Sequence, residues 1–288
     1  MKQLTIFIVA IVWVIEMSAQ MKIDIWEHTN NHCSVECRVY KPKDVDKPAV
    51  AVIVLPGGSY FRLDSSAERT MVGEWLADNG IMAFVLDYRV AGTLEFITHS
   101  RVLHRGCRYP DAMEDVQQTI ALIRSNADEW LADSHKVGVM GFSAGGHLAL
   151  CAGLWFDSPT IDVQVSLRPD FIVAAYPVVT LSNPDYVHLR SRRGLLGDKP
   201  SPQLCEALSI EKHVREDMPP VFLMNCVDDH IVKYQNCELL ESALLQKNVS
   251  HRYLKFSTGG HGFGADDLKC NDECRQWKRV FLEWLDNL

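Results

Sequence analysis

The run Val137-Gly138-Val139-Met140-Gly141-Phe142-Ser143-Ala144-Gly145-Gly146-His147, continued by the apolar stretch Leu148 to Trp155, decides how the chain is read. Strand-like residues lead into a turn with glycine two places before and two places after a serine, and the turn leads into a helix-like segment. Glycine on both sides lets such a turn close tightly. A serine at its apex is held in a strained backbone conformation, with its hydroxyl exposed at the start of a helix whose dipole favours developing negative charge. The strand before and the helix after separate this G-x-S-x-G from the many that arise by chance, so Ser143 is read as a nucleophile. His147, one helical turn further on, points away from the mouth of the turn and is read as a packing histidine.

Working outward, apolar runs alternate with amphipathic segments. Val50 to Leu55, Met82 to Leu86, Val137 to Met140, Phe171 to Ala175, Val221 to Asn225 and Arg252 to Phe256 read as strands. Most are continuously apolar, as parallel strands covered on both faces must be. Met113, Val116, Ile120 and Ile123 share one face of a helix beginning near Asp111, and Cys237, Leu240 and Leu244 share another that stops near Asn248. Trp277, Val280, Phe281 and Trp284 predict a closing helix. Strand and helix in alternation predict a mostly parallel sheet with helices on both faces, and ligands bind such sheets at the C-terminal ends of the strands. No linker or repeat divides the chain, so residues 20–288 are expected to form a single catalytic domain.

Chemistry-bearing residues follow several of these runs. Pro56-Gly57-Gly58-Ser59-Tyr60 comes after the first strong strand, where backbone N–H groups can hold an oxyanion together with the N–H of the residue after the nucleophile. Gly58, Ser59 and Ala144 are the expected donors, and Gly57 gives the turn its freedom. Gly259-Gly260-His261-Gly262-Phe263-Gly264 follows the last strand, and its glycines allow His261 to reach the serine as general base. His230 and His251 compete less well, since one adjoins the candidate acid and the other begins a strand. The acid is expected after Val221 to Cys226, where Asp228 and Asp229 are both candidates. One of the pair should orient the imidazole, and the other should fix the loop.

Taken together, Pro56 to Tyr60, Asp87-Tyr88-Arg89-Val90, Tyr109-Pro110-Asp111-Ala112, Gly141 to Ala149, Asp228-Asp229 with Val232, and Gly259 to Phe263 resemble the acetyl-xylan-esterase-like and feruloyl-esterase-like branch of the α/β-hydrolases. The likeness runs from about Ala49 to His261. It implies the α/β-hydrolase fold and a serine esterase that removes small O-acyl groups, above all O-acetyl, from polysaccharides or oligosaccharides through an acyl-enzyme, with no cofactor and no metal. In that pattern the acid is the second aspartate of the pair, three residues before the valine, which selects Asp229. Two departures stand out: Ser59 replaces a usual glycine, and Lys233 replaces a usual proline. Ser59 keeps its backbone N–H but can narrow the acyl pocket. The alternatives are another hydrolase with the same triad, such as a peptidase or general carboxylesterase, and a noncatalytic glycan-binding protein. The complete triad argues against the last. Two long polar connections, Thr93 to Arg108 (with His99, Arg101, His104, Arg105 and Arg108) and Ser182 to Lys199 (with Tyr186, Arg190, Arg192 and Arg193), are candidate substrate loops for a polar or acidic glycan.

A net charge of −8 opposes nucleic-acid and anionic-lipid partners. At the N-terminus, Met1-Lys2-Gln3, the apolar run Leu4 to Ile15 and the small residues before Gln20 read as a signal peptide over residues 1–19. The run is too short for a stable membrane anchor. An exported chain with nine cysteines leaves at least one unpaired within the chain. Cys33 and Cys37 read as lying on one strand, more than ~12 Å apart and unable to bridge. Cys270 and Cys274 remain possible partners, whereas Cys151 and Cys226 read as small buried hydrophobes. Oligomeric state is left open. Intact-mass analysis of protein recovered from the periplasm or medium is expected to show a chain beginning at Gln20. Recovery from the cytoplasm beginning at Met1 or Met21 would remove the export reading.

Overall fold

The computed structural model describes residues 21–27, 29, 33–43, 46–64, 66–98 and 106–288. The predicted signal segment, His99, Arg101, His104 and Arg105 lie outside them. Along the chain run β1 (Met21–Asp24), β2 (Glu36–Tyr40), β3 (Ala49–Leu55), α1 (Met71–Asp78), β4 (Met82–Leu86), α2 (Thr93–Thr98), α3 (Asp111–Ser125), α4 (Ala127–Trp130) and β5 (Ala132–Phe142). Then follow α5 (Ala144–Leu154), β6 (Phe171–Ala175), α6 (Leu189–Leu196), α7 (Pro202–Ala207), β7 (Val221–Cys226), α8 (Gln235–Gln246), β8 (His251–Phe256) and α9 (Asp272–Leu285). The eight strands form one sheet in the order β1-β2-β4-β3-β5-β6-β7-β8. The β1–β2 and β2–β4 pairs are antiparallel, and every pairing from β4 through β8 is parallel.

The unbroken apolar runs have a direct cause in this arrangement. On β3, Ala51, Ile53 and Leu55 belong to the core shared with α3, α5 and α8, while Val52 and Val54 belong to the core on the opposite face, shared with α1 and α9. Both faces are dry, so neither set can be polar. Val116, Ile120 and Ile123 of α3 seal one side, and Trp277 and Phe281 of α9 seal the other.

Four departures from the sequence reading concern edges and loops. Strand β1 follows directly on the expected cleavage point and was not foreseen. Cys33 lies before β2 rather than on it. The two long polar connections are not wholly irregular, since they contain α2 and α6. Cys270 precedes α9 instead of sharing a helical turn with Cys274; all nine cysteines are free, and the Cys274 sulfur lies 3.4 Å from that of Cys226. No helix among the described residues is long and apolar enough to cross a membrane.

The Asp87-Tyr88-Arg89 segment fastens the loops after the strands. Asp87 pairs with Arg38 at 3.2 Å and with Arg69. The Tyr88 hydroxyl donates to the Pro56 carbonyl at 2.7 Å. Arg89 donates through Nε to fully buried Asp115 at 2.9 Å, and Asp115 also accepts from the Arg89 backbone N–H and from Trp26 Nε1, each at 2.8 Å. Burial works against the guanidinium charge, but Asp115, Glu114 and Asp111 outweigh it and hold Arg89 cationic. Asp115→Ala is expected to cost about 3–5 kcal/mol, because it leaves a mostly buried cation without its deepest acceptor. Denaturant melts of the purified variant measure this, and a loss under 1 kcal/mol would show that the cluster is not a clamp.

Candidate active site

Strand β5 ends at Phe142 and α5 begins at Ala144, so Ser143 alone makes the turn, at φ 54° and ψ −116°. A non-glycine residue adopts such angles only when its surroundings impose them. The constraint is close packing: a Cβ on Gly141 would lie 2.0 Å from the Gly145 carbonyl oxygen, and one on Gly145 would lie 2.1 Å from that of Leu55. Ser143 N–H donates to the Ala175 carbonyl at 2.9 Å, which ties the turn to β6. The hydroxyl stands at the floor of a depression of about 190 Å³ lined by Gly58, Ser59, Arg190, Ile231 and His261, among others.

The structure brings the predicted side chains together. His261 Nε2 lies 2.9 Å from Ser143 Oγ, and its Nδ1 lies 2.6 Å from Asp229 Oδ2. The other Asp229 oxygen accepts the N–H groups of Ile231 and Val232 at 2.8 and 2.9 Å. This leaves Oδ2 aimed at the imidazole. Asp228 faces the other way: its carboxylate accepts the N–H groups of Gly259 and Gly260 at 3.2 and 2.9 Å and so holds the histidine loop. His230 is exposed, and His251 is bound to the Val249 carbonyl at the start of β8.

The Gly58 and Ser59 N–H groups meet no acceptor among the described residues, and Ala144, as the first residue of α5, has an N–H without a helical partner. Their turn is left-handed at Gly58, Ser59 and Tyr60, with φ of 130°, 60° and 60°. Gly57 N–H is not available, because it donates to Glu68 at 2.7 Å. His147 braces the turn from below. It is fully buried, with Nδ1 2.9 Å from the Tyr60 hydroxyl and Nε2 2.9 Å from the Leu208 carbonyl. Burial lowers its pKa to about 4, so the ring stays neutral, donating to Leu208 and accepting from Tyr60.

Sequence reasoning missed several residues of the site. Glu68, Tyr176 and His188 carried no motif, and only their spatial neighbours disclose them. His188 is likewise kept neutral by burial, with a pKa of about 4, and it faces His261, Asp229 and Arg190. Of the described loop arginines, only Arg190 lines the depression, its guanidinium 4.4 Å from the Phe96 ring centre. Arg193 pairs with Asp198 at 2.7 Å, Arg192 donates to the Leu181 carbonyl at 3.3 Å, and Arg108 pairs with Glu95.

Comparison with known proteins places this arrangement. The sequence profile described as BD-FAE matches residues 37–244, spanning the nucleophile turn, the oxyanion turn and the acid. The chain belongs to the BD-FAE family. Within 226 aligned residues this BD-FAE chain is 32% identical to endo-1,4-beta-xylanase B of Butyrivibrio fibrisolvens, covering 77% of the chain and 33% of the relative. An acetylxylan esterase of Xylanibacter ruminicola is 29% identical across 74% of the chain and 41% of its own length. The BD-FAE chain thus spans less than half of either curated relative. The crystal structure of an acetyl ester-xyloside bifunctional hydrolase from Caldicellulosiruptor lactoaceticus superposes with a TM-score of 0.80 at 32% identity, covering 93% of this chain and 96% of that one. Esterases recur among the relatives and structural neighbours of this BD-FAE chain.

Two variants separate the paired aspartates. Asp229→Asn is expected to lower kcat by up to roughly ten-thousandfold while leaving the protein folded, because an amide selects the wrong imidazole tautomer. Asp228→Asn should cost far less in kcat and act mainly on stability. Steady-state kinetics on an activated acetyl ester, with melting curves alongside, decide the matter. A larger kcat loss for Asp228→Asn would reverse the assignment.

Proposed function

We propose that this chain hydrolyses short O-acyl esters, O-acetyl above all, on polysaccharide or oligosaccharide substrates. The observation that carries the proposal is the unbroken path from Ser143 Oγ through His261 to Asp229, at 2.9 and 2.6 Å, opening into a depression that Gly58 and Ser59 also line. Ser143 attacks the ester carbonyl carbon as His261 Nε2 takes its proton, and the carbonyl oxygen becomes an anion facing Gly58, Ser59 and Ala144. Asp229 stabilises the imidazolium that forms. When the intermediate collapses, His261 returns the proton to the departing sugar oxygen, leaving an acyl-serine. Water, deprotonated by the same imidazole, then attacks the acyl carbon, and release of the carboxylic acid restores Ser143. None of these steps requires a cofactor.

The acetyl and glycan components of the proposal draw support from the names of the two xylan-associated relatives and of the structural neighbour. Export before residue 20 suits a polysaccharide substrate and rests on the N-terminal run, outside the described residues. The small volume of the depression, with Ser59 at its rim, argues for a short acyl group.

Two measurements test the proposal. Fluorophosphonate labelling should be stoichiometric in the wild type and absent in Ser143→Ala, whose melting temperature should stay near that of the parent. Activity on p-nitrophenyl esters should fall from acetate to butyrate and be very low for octanoate, since a shallow site cannot recover ~0.8 kcal/mol for each added methylene. A rising series would favour a lipid esterase, and labelling that persists in Ser143→Ala would remove the nucleophile assignment.

A further inference from the structure

Glu68 is a carboxylic acid almost without exposure in the lining of the depression that holds Ser143 and His261, and the acyl-transfer steps do not use it. One oxygen accepts the Gly57 N–H at 2.7 Å, and the other accepts the Tyr176 hydroxyl at 2.8 Å. Tyr176 sits just after β6 in a left-handed conformation, φ 37°, and its oxygen accepts the Gly264 N–H at 3.0 Å. Its ring also packs against the His261 ring, 4.6 Å between centres. A single buried chain of hydrogen bonds therefore joins the oxyanion turn, the segment after β6 and the histidine loop. Two donors meet the carboxylate, which favours its anionic form, while burial opposes that form and raises the pKa.

We propose that Glu68 and Tyr176 are positioning residues that hold the oxyanion turn and the His261 ring in mutual register. This inference rests on the triad reading above. An amide at position 68 cannot serve both donors. With its oxygen toward Gly57 its nitrogen must donate to Tyr176, whose own proton is then left without an acceptor in a dry site. Register between turn and ring should loosen, and misplacement on the scale of an ångström costs about a hundredfold in rate.

Glu68→Gln, Tyr176→Phe and the double variant test the proposal on p-nitrophenyl acetate, with fluorophosphonate labelling of each protein. Glu68→Gln is expected to lower kcat about 30- to 100-fold and Tyr176→Phe about 10-fold, each with KM within threefold of the parent. The double variant should be no more than threefold worse than Glu68→Gln, because the two residues act through one connection. A folded Glu68→Gln with parental kcat would overturn the proposal, as would full additivity in the double variant. If Glu68→Gln does not fold, Tyr176→Phe carries the test, and a parental kcat in that variant would overturn it. Absence of labelling at Ser143 in the wild type would instead overturn the triad reading.

Discussion

The single residue that turns the chain between β5 and α5 is the constraint on which the site depends. Ser143 is held at φ 54° because Gly141 and Gly145 let the helix start pack against the strand end and against the Leu55 carbonyl. The strain is sustained by surroundings that leave no alternative: the serine N–H is bound to β6, and the walls of the turn are the edges of β3 and α5. Placing the hydroxyl there fixes where every other group must arrive. The oxyanion turn comes from β3, the neighbour of β5 on one side, and the acid and base come from β7 and β8 on the other. The sheet order thus brings the proposed oxyanion donors and the proposed acid and base to Ser143 from opposite sides.

Much of this was legible in residues 137–155 and in the turns that follow the other strands, because close backbone approach demands glycine and leaves a mark in the sequence. The buried parallel strands were legible for a related reason: two dry faces force continuous apolar runs, and β3, β4, β6, β7 and β8 lie within a residue or so of their expected places. Choosing Asp229 over Asp228 needed the family pattern, since two adjacent carboxylates look alike until the loop shows one bound to His261 and the other to Gly259 and Gly260. Glu68 and Tyr176 left no trace. Their partners are 11 and 88 residues away in sequence at the nearer backbone bond of each, and neither side chain has a spacing that marks it. Helix α6 was hidden by its polarity, which reads as loop although Arg193 is in fact engaged with Phe96, Phe61 and Asp198.

The motif Asp87-Tyr88-Arg89 shows how a family signature can carry architecture rather than chemistry. None of its side chains lines the depression, yet each fastens a different loop: one to Arg38 and Arg69, one to the oxyanion turn through Pro56, one to α3 through Asp115. A site made of loops is only as well defined as these anchors.

The neutral ring of His147 has a consequence for where this protein can work. Unfolded, the residue would take up a proton as pH falls through about 6.5; folded, it resists until about 4. Between those limits the unfolded chain binds the extra proton, so the stability tied to this side chain is fully present above pH 6.5 and drains away as acidity increases toward 4. His188, shifted the same way for the same reason, steepens the decline. His147 lies below the turn that carries Gly58 and Ser59, and His188 lies within electrostatic range of His261 and Asp229. Acid would therefore weaken the scaffold around Ser143 as pH falls from about 6.5 toward 4.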